Sequence, residues 1–371
     1  MKLNQAVIHE LVKKQHKDIQ KSIIKENLLP SDNEIVLKLV AGVAGLYGKK
    51  NNSAHYGIFN ASEESKYFPA HFETFQSISP STDDSFLTLT KEAMSRLKHY
   101  GGINKPSSGG YMLFANYENE QGTFFLAAML KKKAGITLSD DLVPTALEEI
   151  DLNSLHQAAR INLTRYKLYK ESTDEERQDL SYLSFVSPRT TNSAAGYFVT
   201  ALGCAKGTAS AKATNTLVII SNQFFKDKPE LKLHQKEYKD DLVRYLTICE
   251  NKGKSATLSE VDKIARKYFP ANDEQEADKL SDDLFEILNN DTNQVPVEFP
   301  VNKSTLKKHT HLQFTGANYQ ILLDKGILGT TKNATVQYDK AKRTLLFRNI
   351  PFELIELVEA ELKESDEGQS K

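Results

Sequence analysis

A stretch of positive charge without a carboxylate is the part of this sequence best suited to binding chemistry. It lies between Glu298 and Asp324 in a chain of 371 residues. Its basic and hydroxyl side chains are of kinds that bind phosphate oxygens: Lys303, Ser304, Thr305, Lys307 and Lys308. If a helix begins near Ser304, the i,i+4 spacing places Lys303 and Lys307 on one face, and its free N–H groups attract anions. This stretch is the first candidate site for a polyanion such as DNA.

Two further sets of basic residues are candidates for the same role. A second acid-free window, residues 180–226, supplies the second set: Arg189, Lys206 and Lys212. Gly203 and Gly207 would let a ligand approach the backbone there, although Gly203 fits the end of a helix equally well. Arg160 and Arg165 form the third set, for which pairing with a local acid such as Asp151 is the alternative. Any charge run taken alone is also typical of a solvated helix face.

The overall composition does not itself indicate a nucleic-acid-binding protein. The chain has 48 Lys and Arg against 49 Asp and Glu, a formal net charge of −1. The acids are concentrated in three segments, residues 171–179, 273–291 and 353–367. A polyanion responds to the local field rather than to the average, so the segregated charge leaves DNA binding open.

No sequence pattern for catalysis is complete in this chain. The glycine-containing segment near Gly42 and Gly48 partly matches a phosphate-binding loop. It lacks the first glycine of that motif and the Ser or Thr that would bind magnesium. Ser304 to Lys307 fits Ser-x-x-Lys, but residues 22–25 and 95–98 fit it too, without the accompanying motifs. The two cysteines, Cys204 and Cys249, lie far apart and show no zinc-ligand spacing. We expect no catalytic residue, no metal and no cofactor, and therefore no enzyme.

Length and hydropathy pattern predict a soluble chain with two or three parts. No stretch is apolar over a membrane-spanning length, and the first residues do not resemble a secretory signal, so we expect a cytoplasmic protein without a membrane partner. We predict an N-terminal α/β domain (1–190), a helical middle region (191–298), a C-terminal strand, hairpin and helix region (299–362) and a disordered tail (363–371).

The pattern of elements predicts a mixed α/β (α+β) fold with a largely antiparallel sheet in the N-terminal part. Strands are predicted at residues 6–12, 22–25, 159–166 and 182–186, with a hairpin of residues 111–117 and 123–131. Capping-box spacings predict two helices, one after Ser31 and Glu34 and one after Ser81 and Asp84. Between residues 191 and 290 we predict helices at 194–202, 214–225, 231–250, 258–268 and 274–288, and no strand. A C-terminal β-hairpin (334–338 and 344–348), a strand at 319–323 and a helix ending at Leu362 complete the prediction.

Three separated strings carry a resemblance to a known family. They are Phe299-Pro300-x-Asn302-Lys303-Ser304-Thr305-Leu306-Lys307, Ala159-Arg160-Ile161-Asn162-Leu163-Thr164 and Leu202-Gly203-Cys204-Ala205-Lys206-Gly207. In these strings and their order, the chain resembles the bacterial nucleoid-associated proteins known as NdpA or YejK. The resemblance implies a homodimer in the nucleoid that binds DNA with little sequence preference and serves chromosome organisation. In some members it implies contact with topoisomerases. Residues 51–81 and 273–291 depart from the family pattern.

Two functional hypotheses of different classes follow. The leading one is a non-enzymatic protein that contacts the phosphate backbone of double-stranded DNA, with stacking on single strands ranked below it. The alternative is an adaptor whose main partner is a topoisomerase or another DNA-processing protein. In that case the acidic segments would recruit the partner, through Asp278, Asp282 and Asp283 or through the tail at residues 364–371.

Overall fold

A computed structural model describes residues 1–60, 67–78, 80–152, 155–186, 196–206 and 209–369. The side chains of Lys206 and of residues 364–369 lie outside that description. The chain divides into two compact units, Met1–Asn302 and Lys303–Lys371. The sequence-based limits of an N-terminal domain, a middle region and a tail remain predictions.

The first unit is built on a seven-stranded antiparallel sheet. The strands are β1 (Lys2–Leu11), β2 (Ala54–Phe59), β3 (Gly110–Asn119), β4 (Gly122–Leu130), β7 (Gln157–Asn162), β8 (Leu183–Val186) and β9 (Cys204–Lys206). Their order across the sheet is β1-β3-β4-β7-β8-β2-β9. The remaining strands before residue 160, β5 (Lys132–Leu138) and β6 (Pro144–Ile150), form a separate, largely exposed hairpin. The predicted α+β class with a largely antiparallel sheet is confirmed.

The sheet has a hydrophobic core on each face because side chains alternate along a strand. Leu113 packs with Val40 and Val43 in one cluster, whereas its neighbour Phe114 packs with Phe125 in the other. The helices of this part of the unit are α1 (Glu34–Ala44), α2 (Tyr67–Ser77), α3 (Asp83–Ile103), α4 (Leu163–Glu171), α5 (Asp174–Arg177) and α6 (Gly196–Ala201).

The middle of the chain is mostly helical, as predicted. Its helices are α7 (Ser210–Asp227), α8 (Gln235–Asn251), α9 (Leu258–Arg266) and α10 (Glu274–Leu288). Phe225 and Tyr238 stack with ring centroids 3.9 Å apart and join α7 to α8. The prediction of no strand between residues 191 and 290 is wrong. Strand β9 joins the main sheet at its edge, where it pairs with β2. Strand β10 (Ser255–Thr257) pairs with β11 (Glu298–Pro300). Strands of three residues are too short to show a period of two.

Several predicted boundaries are displaced by a nearby capping residue. The N-cap of α1 is Asn33 rather than Ser31, and α3 is capped by Thr82 together with Ser85. The strand predicted at 159–166 ends at Asn162, whose side chain accepts a hydrogen bond from the backbone N–H of Arg165 and starts α4. Asn side chains stop strands and begin helices in this way because they satisfy a free N–H group.

Some elements had no usable signal in the sequence. The predicted strand at 22–25 is reduced to a single bridge between Glu10 and Ile23. Strand β2, helix α2 and the β5–β6 hairpin were not predicted. Strand β2 is flanked in the sheet by β8 and β9, strands more than a hundred residues further along the chain, so pairing with distant strands rather than local periodicity defines it.

The second unit begins with a helix and continues through short strands. Its elements are α11 (Lys303–Thr310), β12 (His311–Thr315), β13 (Gln320–Asp324), β14 (Leu328–Gly329), β15 (Val336–Asp339), β16 (Thr344–Phe347) and α12 (Phe352–Gln369). The predicted strands and the C-terminal helix are confirmed. The helix extends past Leu362, because Glu361, Leu362 and Lys363 are good helix formers. It overlaps the predicted tail, of which residues 370–371 lie outside the described residues.

Among the residues that the structure describes, no helix combines the length and the apolar character needed to cross a membrane.

Candidate nucleic-acid interface

The first candidate site lies on α11, so the condition of a helix beginning near Ser304 is met. Lys303, Ser304, Lys307 and Lys308 are exposed, whereas Thr305 and Leu306 are buried. Helical spacing explains this division, since Lys303 and Lys307 are one turn apart and Lys308 adjoins them. The amines of Lys307 and Lys308 have no ion-pair partner among the residues that the structure describes. Lys307 and Lys308 therefore present two positive charges to solvent, with Lys303 exposed beside them on the same helix.

Thr305 does not belong to that surface. Thr305 is 7% exposed, so its hydroxyl is not placed to contact a ligand in solvent. No pattern in the sequence indicates this burial, because the phase of a helix depends on where the helix begins. We remove Thr305 from the candidate contacts.

A lysine that the sequence analysis did not select fixes the end of this helix. The amine of Lys325 donates hydrogen bonds to the carbonyl oxygens of Lys308 and His309, both at 3.1 Å. These are terminal carbonyls without helical partners, and a cation there also complements the helix dipole. The signal in the sequence for this role of Lys325 was its position directly after Asp324, at the end of the acid-free window.

The second candidate set is only partly described. Arg189 lies outside the described residues, as does the side chain of Lys206. The backbone of Lys206 ends β9, opposite Gly57. Gly203 has a φ of 64° and lies two residues after the end of α6 at Ala201, so it acts as a helix end, one of the two interpretations left open by the sequence.

Lys212 is the described member of this set, and it lies in the first turn of α7. Its side chain is half-buried, and burial, followed by the charge of Arg165, lowers the pKa of its amine. It has no hydrogen-bond or ion-pair partner in the part of the chain that the structure describes. The residue before the helix, Ala209, provides no side-chain cap. Helix N–H groups and an unpaired lysine together favour an anion here.

Arg160 is not a surface residue, which corrects its place among the DNA-contact candidates. It is 4% exposed, and its Nη2 donates to both carboxylate oxygens of Asp291 at 2.6 Å. Burial alone would lower the pKa of its guanidinium, but Tyr117 and Asp291 outweigh that effect and raise it. The partner is Asp291 rather than Asp151, and the pair is structural.

Arg165 is also engaged within the chain. Its Nη1 donates to Oε1 of Gln294 at 2.5 Å, and its Nη2 donates to the carbonyl oxygen of Asp291 at 2.7 Å. Burial lowers the pKa of this guanidinium. Because both hydrogen bonds would have to break before it reached a phosphate, we remove Arg165 from the contact set as well.

The acidic segment at residues 273–291 is largely neutralised by cations of its own chain. Asp278 pairs with Arg266 at 2.6 Å, Asp283 with Lys228 at 3.0 Å and Asp282 with Lys50 at 3.7 Å. Exposed pairs of this kind contribute little stability, but they reduce the negative field available to a partner. Asp291, at the end of the segment, is the partner of Arg160.

Among the described residues, no three His, Cys, Asp or Glu side chains are arranged to hold a metal ion. Cys204 is buried, and burial raises the pKa of its thiol well above the ordinary value, which keeps it protonated and unreactive.

The fold and the site define the class of the protein as an α+β protein with an exposed basic helix. A family model described as nucleoid-associated protein YejK matches residues 7–355, and the chain belongs to this family. A nucleoid-associated protein of Pseudomonas aeruginosa (strain UCBPP-PA14) is 25% identical over 354 residues, covering 95% of this chain and 96% of the relative. One from Shewanella sp. (strain ANA-3) is 24% identical over 363 residues, covering 97% and 98%. One from Pseudomonas entomophila (strain L48) is 26% identical over 326 residues, covering 87% and 89%.

Proposed function

We propose that this protein is a non-enzymatic component of the bacterial nucleoid that binds the phosphate backbone of double-stranded DNA with little sequence preference. The observation that carries the proposal is the exposed face of α11, where Lys303, Lys307 and Lys308 stand together without a carboxylate in their sequence window. Ser304 adds a hydroxyl donor on the same face. Membership in a family of nucleoid-associated proteins supports the same conclusion.

The physical basis is counterion release. Each lysine that neutralises a phosphate frees condensed cations from the duplex, so affinity depends on salt rather than on base sequence. Hydrogen bonds to phosphate oxygens position the protein without reading the bases. Lys212 at the start of α7 belongs to the proposed contact set, as do Lys206 and Arg189.

The test is fluorescence anisotropy of a random-sequence duplex, titrated with the full chain at several salt concentrations. The triple variant Lys303→Glu, Lys307→Glu, Lys308→Glu is expected to bind at least about tenfold more weakly. Its log–log salt slope should be smaller in magnitude by about 3, close to 0.9 for each lost phosphate contact.

A matched control separates local contacts from net charge. The variant Lys21→Glu, Lys38→Glu, Lys236→Glu has the same change in charge at three exposed positions of the first unit. We expect it to keep most of the affinity and the slope of the parent. Equal losses in the two variants would reject the site, and no duplex binding by the parent at low salt would reject the function.

We also propose that the protein acts as a homodimer. Helix α12 exposes an apolar stripe, Leu354, Ile355, Val358 and Leu362, whose spacing places all four on one face. Apolar surface of this kind is stabilised when a second copy covers it. Light scattering should give twice the chain mass for the parent and a single chain mass for Leu354→Glu, Val358→Glu. A parent that stays monomeric at all concentrations would contradict this.

The alternative function, an adaptor for a topoisomerase, is less favoured. Its proposed contact residues Asp278, Asp282 and Asp283 each have a cationic partner in the same chain. The adaptor hypothesis requires that neutralising them abolishes capture of the partner while DNA affinity persists, and unchanged capture would count against it.

A further inference from the structure

The hairpin of β12 and β13 carries two large aromatic side chains on its surface. Phe314 is 52% exposed and Tyr319 is 58% exposed. Their ring centroids lie 5.8 Å apart, with 40° between the ring planes. A single exposed aromatic residue needs no explanation, but two in contact leave a continuous apolar surface in water. Such a surface indicates a ligand.

Gly316 holds this pair in position. Its backbone N–H donates to the carbonyl oxygen of Tyr319 at 2.8 Å and closes the turn between the two strands. The Tyr319 ring lies against this glycine, since a Cβ at residue 316 would stand only 2.7 Å from Cε1 of the ring. The ring therefore packs against the turn before any ligand arrives, and this contact reduces the entropy lost on binding.

The electrostatic surroundings select the kind of ligand. From residue 303 to residue 348 the only acids are Asp324 and Asp339. Against these two stand nine basic residues: Lys303, Lys307, Lys308, Lys325, Lys332, Lys340, Lys342, Arg343 and Arg348. A ligand that suits both the charge and the rings is an anion with flat apolar faces. Nucleic acid has both properties, but in a duplex the faces of the bases are hidden in the stack.

We propose that Phe314 and Tyr319 stack on unpaired bases of single-stranded DNA or RNA while neighbouring lysines hold its phosphates. This goes beyond the proposed duplex binding and shares with it only the basic surface. Stacking on an aromatic ring is tolerant of base identity, because every base has a π-face. The site would give the protein an affinity for opened or single-stranded regions that backbone contacts alone do not provide.

The experiment uses the full chain and a single-stranded oligonucleotide of about 12 nucleotides that contains 2-aminopurine, whose fluorescence falls when it stacks. The parent should quench this fluorescence. Phe314→Leu and Tyr319→Leu should each weaken single-strand affinity by at least about fivefold and remove most of the quenching. Duplex affinity should change by less than about twofold, since those contacts are to phosphates.

Two further variants show whether the rings themselves matter. Tyr319→Phe keeps the ring and should behave as the parent, which separates stacking from any role of the hydroxyl group. Phe352→Leu removes a more exposed ring, at 68%, from the same unit but beside the acids of α12, and should have no effect. Quenching that survives in both Phe314→Leu and Tyr319→Leu would overturn the proposal.

The outcomes distinguish this inference from the proposed function. If the parent quenches 2-aminopurine but does not bind duplex, duplex binding fails and the stacking site stands. If the parent binds duplex and the single strand equally and without quenching, the stacking site fails alone. If Phe314→Leu and Tyr319→Leu alter the mass of the assembly and not single-strand affinity, a second copy covers the rings and the inference is wrong.

Discussion

Arg160 and Asp291 join two parts of the first unit that lie 131 residues apart in the sequence. The guanidinium of Arg160, on β7, donates to both oxygens of the Asp291 carboxylate, just after α10. Its carbon also lies 4.1 Å from the ring centroid of Tyr47 and 5.0 Å from that of Phe124. The pair ties the helical middle of the chain to the sheet.

Breaking this pair should strongly destabilise the protein. Asp291→Ala leaves a buried arginine without its counter-charge, and we expect a loss of about 3–5 kcal/mol in the free energy of unfolding, measured with urea. The double variant Arg160→Met, Asp291→Leu should lose much less, because no unpaired charge remains. Equal losses in the single and double variants would mean that shape rather than charge is responsible.

Asn289 should contribute nearly as much to the free energy of unfolding, for a different reason. It is fully buried, and its Nδ2 donates to the carbonyl oxygens of Ala54 and Val295, at 2.9 and 2.8 Å, while its Oδ1 accepts from the N–H of Ala54 at 2.7 Å. Asn289→Ala leaves these backbone groups unpaired, so we expect a loss of about 3 kcal/mol in urea unfolding. The control Asn293→Ala, which removes one exposed hydrogen bond, should cost less than about 1 kcal/mol.

His9 should make stability depend on pH. Burial lowers the pKa of its imidazole to about 4, with Lys91 contributing and Glu26 opposing. Its Nδ1 accepts from the backbone N–H of Lys25, so the proton is on Nε2, which lies 3.2 Å from Oγ1 of Thr90.

The direction in which stability changes with pH follows from proton uptake by His9. Between about pH 6.5 and pH 4 the unfolded chain binds a proton at His9 and the folded chain does not, so stability falls as the pH falls. The loss reaches about 3 kcal/mol near pH 4 and is absent above about pH 7. His9→Gln should remove this component. Unfolding free energies of both proteins across that range give the comparison, and parallel pH profiles would contradict the assignment.

Lys212 and Lys226 provide a matched pair within one helix. Both lie on α7, but Lys212 is in its first turn and Lys226 in its last. Lys212→Met should weaken duplex binding by about three- to tenfold and reduce the salt slope by about 0.9, whereas Lys226→Met should have little effect. Anisotropy titrations at several salt concentrations decide this. Similar losses in both would show that only net charge matters.

Local features of the chain were predictable from sequence where the signal is itself local. The hairpin with Asn119 opposite Gly122, the helices of the middle region and the strands after residue 319 follow from periodicity and turn residues. The candidate site on α11 followed from the absence of acids in its window. Burial of Thr305 did not, because it depends on which turn begins the helix.

The sequence by itself determined the α+β class, the family and the segregation of basic charge, since composition, periodicity and short strings are properties of neighbouring residues. Only the tertiary structure decided that Arg160 is a buried partner of Asp291 rather than a contact for DNA, and that Phe314 and Tyr319 stand together on the surface. Pairing and burial depend on groups far apart in the chain, and the energy of a charge or a ring depends on what surrounds it.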